Sequence, residues 1–276
     1  MLEDKFIALI GAGVMAEVIA DGLVRSRLLP PERIIVSHYR TERLQEFAGI
    51  VPVSTTLNNR EAYERADLAV LCIRPQGMGE LLTELHEVVS ADKLLMSIAA
   101  GLPVSFYESR VGAAVPVIRA MPTFFGQIKA GTTGLSLNRT ATADHLAMAS
   151  RLFGSISENV IVLPDSEMDA FTTFGSTTAA TVYMLLDALI TAGSLVGLRH
   201  HASHTRAIEQ VIAAARNVEA TNKPPARLLE ELCTPGGVTV EGVKVLEERA
   251  VRGAAIDGVL AAMQRARELG QSTQEG

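Results

Sequence analysis

An almost wholly apolar run, Lys5-Phe6-Ile7-Ala8-Leu9-Ile10, passes directly into Gly11-Ala12-Gly13-Val14-Met15-Ala16, and helical periodicity then holds through Val24. A strand that turns into a helix through G-x-G-x-x-A carries the dinucleotide fingerprint in the setting that gives it meaning. Gly11 suits the tight turn, Gly13 brings bare backbone up to a pyrophosphate, and Ala16 lets helix and strand pack closely. Val14 and Met15 open the helix, whose unpaired N–H groups and positive dipole end attract an anion. This one feature commits the amino-terminal part of the chain to a layered β/α sheet.

The rest of that part alternates as such a sheet requires. Strands are predicted at Ile34–Ser37, Ile50–Val53, Asp67–Ile73, Lys93–Ile98, Val115–Ala120, Thr132–Leu137 and Val160–Leu163, with helices between most of them. Near-continuous apolar runs suit parallel strands covered on both faces. The prediction is a doubly wound parallel α/β domain over residues 1–163. From about Pro164 strand signals give way to helical windows at Ser166–Phe174, Thr178–Val196, His201–Thr221, Ala226–Cys233, Val238–Glu248 and Ala250–Leu269. Residues 164–276 therefore read as an all-helical second domain, with a disordered tail from Gly270. The window around Val182–Ile190 is apolar on nearly every side, so a partner must cover it. An interlocked homodimer through this domain is the expectation, with no membrane span, because Asp187 and several small residues interrupt the apolar stretch.

A chain of 276 residues is comfortable for two domains. Its formal charge of −6, with no basic run, argues against nucleic acid as a partner. Cys72 and Cys233 stand in no metal-type spacing, and the first strand starts within a few residues of Met1. These features predict a reducing, cytoplasmic setting without a leader peptide. His200, His201 and His204 include an i, i+4 pair, but no acid accompanies them, and no metal site is predicted.

In this fold, ligands lie at the carboxyl ends of the strands. The second strand ends in Ser37-His38-Tyr39-Arg40-Thr41, with no acid to hold a ribose diol or repel a 2′-phosphate. Arg40 can clamp that phosphate, Ser37 or Thr41 can donate to it, and Arg43 lies close by. This favours NADP(H) over NAD(H); the competing reading of Arg40 is a solvated loop charge. The loop Ile73-Arg74-Pro75 follows the fourth strand, Ala99-Ala100 the fifth, and Met121-Pro122-Thr123-Phe124-Phe125 the sixth. Tyr39, Ile73, Arg74, Pro75, Ala99, Ala100, Met121 and Pro122 thus join Gly11 and Gly13 as cofactor candidates. Thr234-Pro235-Gly236-Gly237-Val238-Thr239 joins a glycine pair to a helix start. Thr234, Gly236, Gly237 and Thr239 there can hold a carboxylate, or the segment is a helix break with a Thr cap. The segment alone leaves both readings open.

Taken in order, Gly-Ala-Gly-Val-Met-Ala at 11–16, Arg-Pro-Gln at 74–76, Ser-Ile-Ala-Ala-Gly at 97–101, Arg-Ala-Met-Pro at 119–122 and Thr-Pro-Gly-Gly-Val-Thr at 234–239 resemble the pyrroline-5-carboxylate reductase family. The resemblance implies a Rossmann domain, a helical dimerisation domain, often higher oligomers built from dimers, and NAD(P)H-dependent reduction of a cyclic imine to proline. It departs at two loops. The family's Asn-Thr-Pro is Thr123-Phe124-Phe125 here, and its Ser-Gly-Ser-Gly-Pro-Ala-Tyr is Gly175-Ser176-Thr177-Thr178-Ala179-Ala180-Thr181. Thr123, Phe124 and Ser176 are therefore substrate candidates. Thr172, Thr177 and Thr178 are candidates for bonding the ring nitrogen or carboxylate. A protonated cyclic imine is already electrophilic, so orientation and water exclusion suffice without a dedicated general acid. The alternatives are a reductase for a bulkier or less polar imine, with Phe124 and Phe125 as an apolar wall, and a catalytically silent NADP-binding regulator.

Overall fold

The computed structural model describes residues 2–274; the side chains of residue 124 and of residues 269–274 lie outside the description. The chain forms two compact units. One holds residues up to Phe174 together with those from Met263 onward, and the other holds Gly175–Ala262.

The first unit is organised around one eight-stranded sheet. Its elements in chain order are β1 (Ile7–Ile10), α1 (Val14–Arg25), β2 (Ile34–Ser37), α2 (Thr41–Ile50), β3 (Ser54–Thr56), α3 (Asn59–Arg65), β4 (Leu68–Leu71), α4 (Met78–Leu85), β5 (Leu94–Ser97), α5 (Val104–Val111), β6 (Val117–Pro122), β7 (Thr132–Leu137), α6 (Ala143–Gly154) and β8 (Asn159–Val162). The strand order is β3-β2-β1-β4-β5-β6-β7-β8. The first six strands are parallel, and the direction of winding reverses between β1 and β4. The sheet is doubly wound, but not wholly parallel. β7 runs antiparallel to β6, while β8 is parallel to β7. Residues 123–131, which join β6 to β7, are too few for the crossover that a parallel pair needs.

The inner strands β1, β2, β4 and β5 bury every residue on both faces, which is why their sequence runs are almost continuously apolar, whereas the edge strands β3 and β8 stay largely uncovered. In β1, Ile7 and Leu9 enter one cluster with Leu23, Phe47 and Phe153, whereas Ala8 and Ile10 enter another with Leu71, Leu82 and Tyr107. Two local expectations shift. The third strand lies at Ser54–Thr56 rather than at 50–53: Ile50 closes α2, and Pro52, which has no N–H to donate, falls in the connection. Thr55 and Thr56, β-branched, take the ladder beside Val36 and Ser37. The helix α5 has no counterpart in the sequence reading; it starts after Pro103 and buries Val104, Phe106 and Tyr107.

Five helices follow: α7 (Asp165–Leu195), α8 (His200–Thr221), α9 (Pro225–Leu232), α10 (Val238–Glu248) and α11 (Val251–Gln274). The two windows expected on either side of residues 175–177 are one helix, because a single interior glycine costs only about 1 kcal/mol. For the same reason α11 passes Gly270, where a disordered tail is expected, and continues to Gln274; residues 275 and 276 lie outside the described residues. Within the second unit, α7 and α8 meet at Gly193. A Cβ there would stand 2.9 Å from the Cβ of buried Ser203, whose hydroxyl donates to the Ile190 carbonyl at 2.6 Å.

In the single chain α7 leaves large apolar side chains uncovered, Met184 at 75% exposure and Leu189 at 49%. By length and composition alone α7 is apolar enough to cross a membrane, and none of its most apolar window is buried within the chain. Such a surface calls for a cover.

Candidate active site

A cavity of about 500 Å³ opens where the winding reverses, at the carboxyl ends of β1 and β4. Gly11, Ala12 and Gly13 form one side, Ser37, His38 and Tyr39 from the end of β2 another, and Asn59 a third. Cys72, Ile73, Arg74 and Gly77, after β4, complete it. No carboxylate is among the lining residues.

The glycine turn is built to stay bare. Gly11 has φ +109°, a region L side chains rarely enter, and its N–H donates to the Ser37 carbonyl at 2.9 Å. A Cβ on Gly11 would lie 2.6 Å from the Cys72 carbonyl oxygen and 2.8 Å from Ile73 Cγ2. At Gly13 a Cβ would meet only the Cys72 oxygen, at 3.8 Å, so the fold itself does not demand glycine there. Gly13 is the exposed N-cap of α1 and carries no side-chain cap, which leaves the first amides of the helix to an anion. This cradle fits a dinucleotide pyrophosphate. Val14 is exposed at the helix start, whereas Met15 packs on the hydrophobic core.

The end of β2 differs in detail from the sequence reading. Ser37 is buried, and its hydroxyl donates to Asn59 Oδ1 at 2.8 Å, while Asn59 Nδ2 donates to Glu84. Tyr39 is 81% exposed and stacks on His38 at 4.3 Å. Arg40 is exposed, its guanidinium 5.8 Å from the Tyr39 ring centroid, and its N–H donates to His38 Nδ1. Burial lowers the His38 pKa, and the nearby Arg40 and Arg43 charges add to that, against the backbone hydrogen bond. Each of the three Arg43 nitrogens donates to a protein group. Asn59 is a lining residue to which the sequence analysis gives no role; its neighbour Asn58 caps α3, its side chain accepting from the Glu61 N–H.

Further along the sheet, Pro75 opens a short 3-10 turn after Arg74. Ala99 is buried and Ala100 exposed; the Ala99 N–H donates to Ser97 Oγ, which also shares a 2.7 Å hydrogen bond with the Tyr107 hydroxyl. Burial pushes Tyr107 up from its ordinary value to about 12. The unfolded chain releases this proton near pH 10. Tyr107 therefore contributes stability that is intact below pH 10 and lost as pH rises toward 12, where the folded form still binds more protons. Urea midpoints should fall over that range, and less steeply in Tyr107→Phe.

Met121 and Pro122 end β6, with Met121 buried. Thr123 accepts the Thr132 N–H at 3.2 Å through its hydroxyl, tying the loop back to β7. The Phe124 side chain lies outside the described residues. The same strand holds Arg119, 1% exposed, which donates to Asp165 at 3.2 Å and to Asp169. Asp165 also accepts the Val104 N–H at the start of α5, at 2.9 Å. Sequence reasoning has Arg119 only within a motif; nothing in the pattern marks its partners.

A family model described as pyrroline-5-carboxylate reductase dimerisation matches residues 165–269, and one described as NADP oxidoreductase, coenzyme F420-dependent, matches residues 6–101. A pyrroline-5-carboxylate reductase of Glycine max is 33% identical over 268 residues, 97% of each chain. This chain belongs to the pyrroline-5-carboxylate reductase family. A pyrroline-5-carboxylate reductase structure from Coxiella burnetii is 29% identical, with a TM-score of 0.82 over 96% of this chain and 98% of that one. A Plasmodium falciparum pyrroline carboxylate reductase solved with NADP bound shares the fold, with a TM-score of 0.88 at 21% identity over 97% and 99% of the two chains. As a family member the chain is an NAD(P)H-dependent oxidoreductase, and α7 falls within the segment that matches the dimerisation family.

Several of the substrate-side candidates lie on α7. Thr172 is half-buried and donates its hydroxyl to the Met168 carbonyl at 2.7 Å, which leaves the oxygen as an acceptor. Ser176, Thr177 and Thr178 continue the helix, and the Thr177 carbonyl accepts from Thr181. The Thr234–Thr239 segment is a turn into α10. Gly236 has φ +71°, and the Gly237 N–H, expected to face a carboxylate, donates to the Thr234 carbonyl at 3.0 Å. Gly237 itself is the N-cap, with no side-chain cap, so Thr239 is not one; it is exposed in the first turn. His200, His201 and His204 start α8, all exposed, and among the described residues no group of three or more His, Cys, Asp or Glu is placed to hold a metal.

Proposed function

We propose that the protein reduces 1-pyrroline-5-carboxylate to L-proline with NADPH. The observation that carries this reading is the glycine cradle at the mouth of the 500 Å³ cavity, in a chain that aligns with named reductases along its whole length. When bound, the reduced nicotinamide supplies a hydride to the imine carbon. Gly11, Gly13, Val14 and Met15 bring helix amides to the pyrophosphate. Arg40, with Ser37 and Tyr39 beside it, takes the 2′-phosphate end, and the lack of a lining carboxylate favours NADP(H) over NAD(H). Ile73, Arg74, Pro75, Ala99, Ala100, Met121 and Pro122 line the path toward the ring.

The protonated imine already carries the proton that its nitrogen keeps, so the protein need only orient it and exclude water. Thr172 suits that nitrogen because its own hydrogen is committed to Met168 and its oxygen accepts. Thr177, Thr178, Ser176 and Thr123 shape substrate preference. Thr234, Gly236, Gly237 and Thr239 are assigned the carboxylate, through the hydroxyls and the remaining amides of the turn. Residues 1–163 serve the cofactor and 164–276 the dimer and the substrate. The apolar face of α7 meets a second subunit rather than lipid, and larger assemblies are built from dimers. The free thiols Cys72 and Cys233 suit a cytoplasmic setting.

NADPH oxidation measured with 1-pyrroline-5-carboxylate, and with six-membered and non-carboxylated cyclic imines, tests the assignment. The five-membered carboxylated imine should give the highest kcat/KM. Turnover confined to a bulkier imine would reassign the substrate, a reading the Thr123-Phe124-Phe125 loop favours. Turnover of none would mean a binding protein.

A further inference from the structure

We propose that Arg43 is a positioning residue for the dinucleotide, orienting the Ala12–Gly13 peptide and neutralising a carboxylate beside the anion cradle. The inference rests on the NADP(H) reading above and deepens it. Arg43 lies in the first turn of α2, its side chain only 18% exposed. Its Nε donates to the Ala12 carbonyl at 2.7 Å, its Nη1 to Glu46 at 3.0 Å and its Nη2 to Glu17. All three nitrogens are engaged, so Arg43 is not a second phosphate clamp beside Arg40. It acts through what it holds.

Two consequences follow from the geometry. A trans peptide is planar, with C=O and N–H on opposite sides. Drawing the Ala12 oxygen toward α2 therefore turns the Gly13 N–H away from α2, and Gly13 lines the cavity. No side-chain cap steadies this turn otherwise. The second consequence concerns charge. Glu17 sits in the first turn of α1, its N–H bonded to the Gly13 carbonyl at 3.1 Å. A carboxylate there suits the helix dipole but opposes a diphosphate at the same end. Its side chain is 18% exposed, so solvent screens it poorly, and Arg43 supplies the opposing charge.

The test compares the full-length dimer with Arg43→Met, Arg43→Lys, Glu17→Gln and the double variant Arg43→Met with Glu17→Gln. NADPH affinity is read by fluorescence titration, and kinetics with 1-pyrroline-5-carboxylate separate KM from kcat. Arg43→Met should raise the Kd and KM for NADPH about tenfold, with kcat and the imine KM nearly unchanged. The penalty should grow at low salt, where the unpaired Glu17 is least screened. Arg43→Lys, which keeps the charge and loses the fork, should fall between. Glu17→Gln alone should bind NADPH at least as tightly as wild type, and the double variant should regain part of the lost affinity. A folded Arg43→Met that binds NADPH like wild type would overturn the proposal, as would one that loses kcat instead of affinity. So would a Glu17→Gln that weakens NADPH as much as Arg43→Met does. If Arg43→Met fails to fold, the sign of the Glu17→Gln effect decides alone. A wild-type protein that binds no NADPH removes the cofactor reading and this one together, whereas normal wild-type binding with insensitive variants removes only the role of Arg43.

Discussion

Arg119→Met is expected to cost about 3 kcal/mol of folding stability, the low end of what removing one partner from a buried ion pair costs. Arg119 is 1% exposed and faces two carboxylates, Asp165 and Asp169, whose side chains are 28% and 34% exposed. The methionine fills the space of the stem but leaves those two carboxylates without a cation, and partial exposure relieves only part of the penalty. The loss also loosens Asp165, which holds the Val104 N–H at the start of α5. Arg119→Lys keeps the charge, gives up the fork and should lie between the two. Urea midpoints at one fixed protein concentration measure the series, since dimerisation contributes to the apparent stability. Equal midpoints for Arg119→Met and wild type would show that the cluster contributes nothing.

Gly11→Val should abolish NADPH binding. The backbone at φ +109° costs a β-branched residue about 1–3 kcal/mol before any contact is counted. The added Cβ would also lie 2.6 Å from the Cys72 carbonyl oxygen, a backbone atom that cannot move without shifting the end of β4. Either the turn opens or β1 separates from β4, and both remove the cradle. Loss of NADPH binding in isothermal titration, with the helical circular dichroism retained, is the expected result. By contrast Gly13→Ala meets only an ordinary 3.8 Å contact inside the protein. It should fold normally and weaken the cofactor by crowding the pyrophosphate. Equal damage from both substitutions would mean that Gly13 too is required by the fold.

The cofactor half of the molecule was legible because its signals are local. The turn at Gly11, the paired faces of β1 and the strand at Thr132–Leu137 each follow from neighbours within a few residues. What the sequence concealed depends on distant partners. Arg43 reads as a second cation close to the 2′-phosphate until α2 is seen lying against the glycine turn. Asn59 carries no mark in the sequence until α3 brings it to Ser37. Asp165 and Asp169 go unmarked until the buried Arg119 is found between them. Three local signals were also overridden. Gly175 and Gly270 did not stop their helices, since one interior glycine costs only about 1 kcal/mol, and Pro52 displaced a strand that the valines on either side of it suggested. At Thr234–Thr239 the sequence allowed an anion site or a turn. The Gly237 N–H is spent on the turn, so any carboxylate there relies on the hydroxyls and the remaining amides.

The most direct measurement follows deuterium from NADPH labelled at nicotinamide C4 on the transferred face, with 1-pyrroline-5-carboxylate as acceptor. The predicted result is L-proline with one deuterium on its δ-carbon, formed in step with NADPH oxidation. Oxidation without labelled proline, or no oxidation with this imine at any cofactor concentration, would contradict the account.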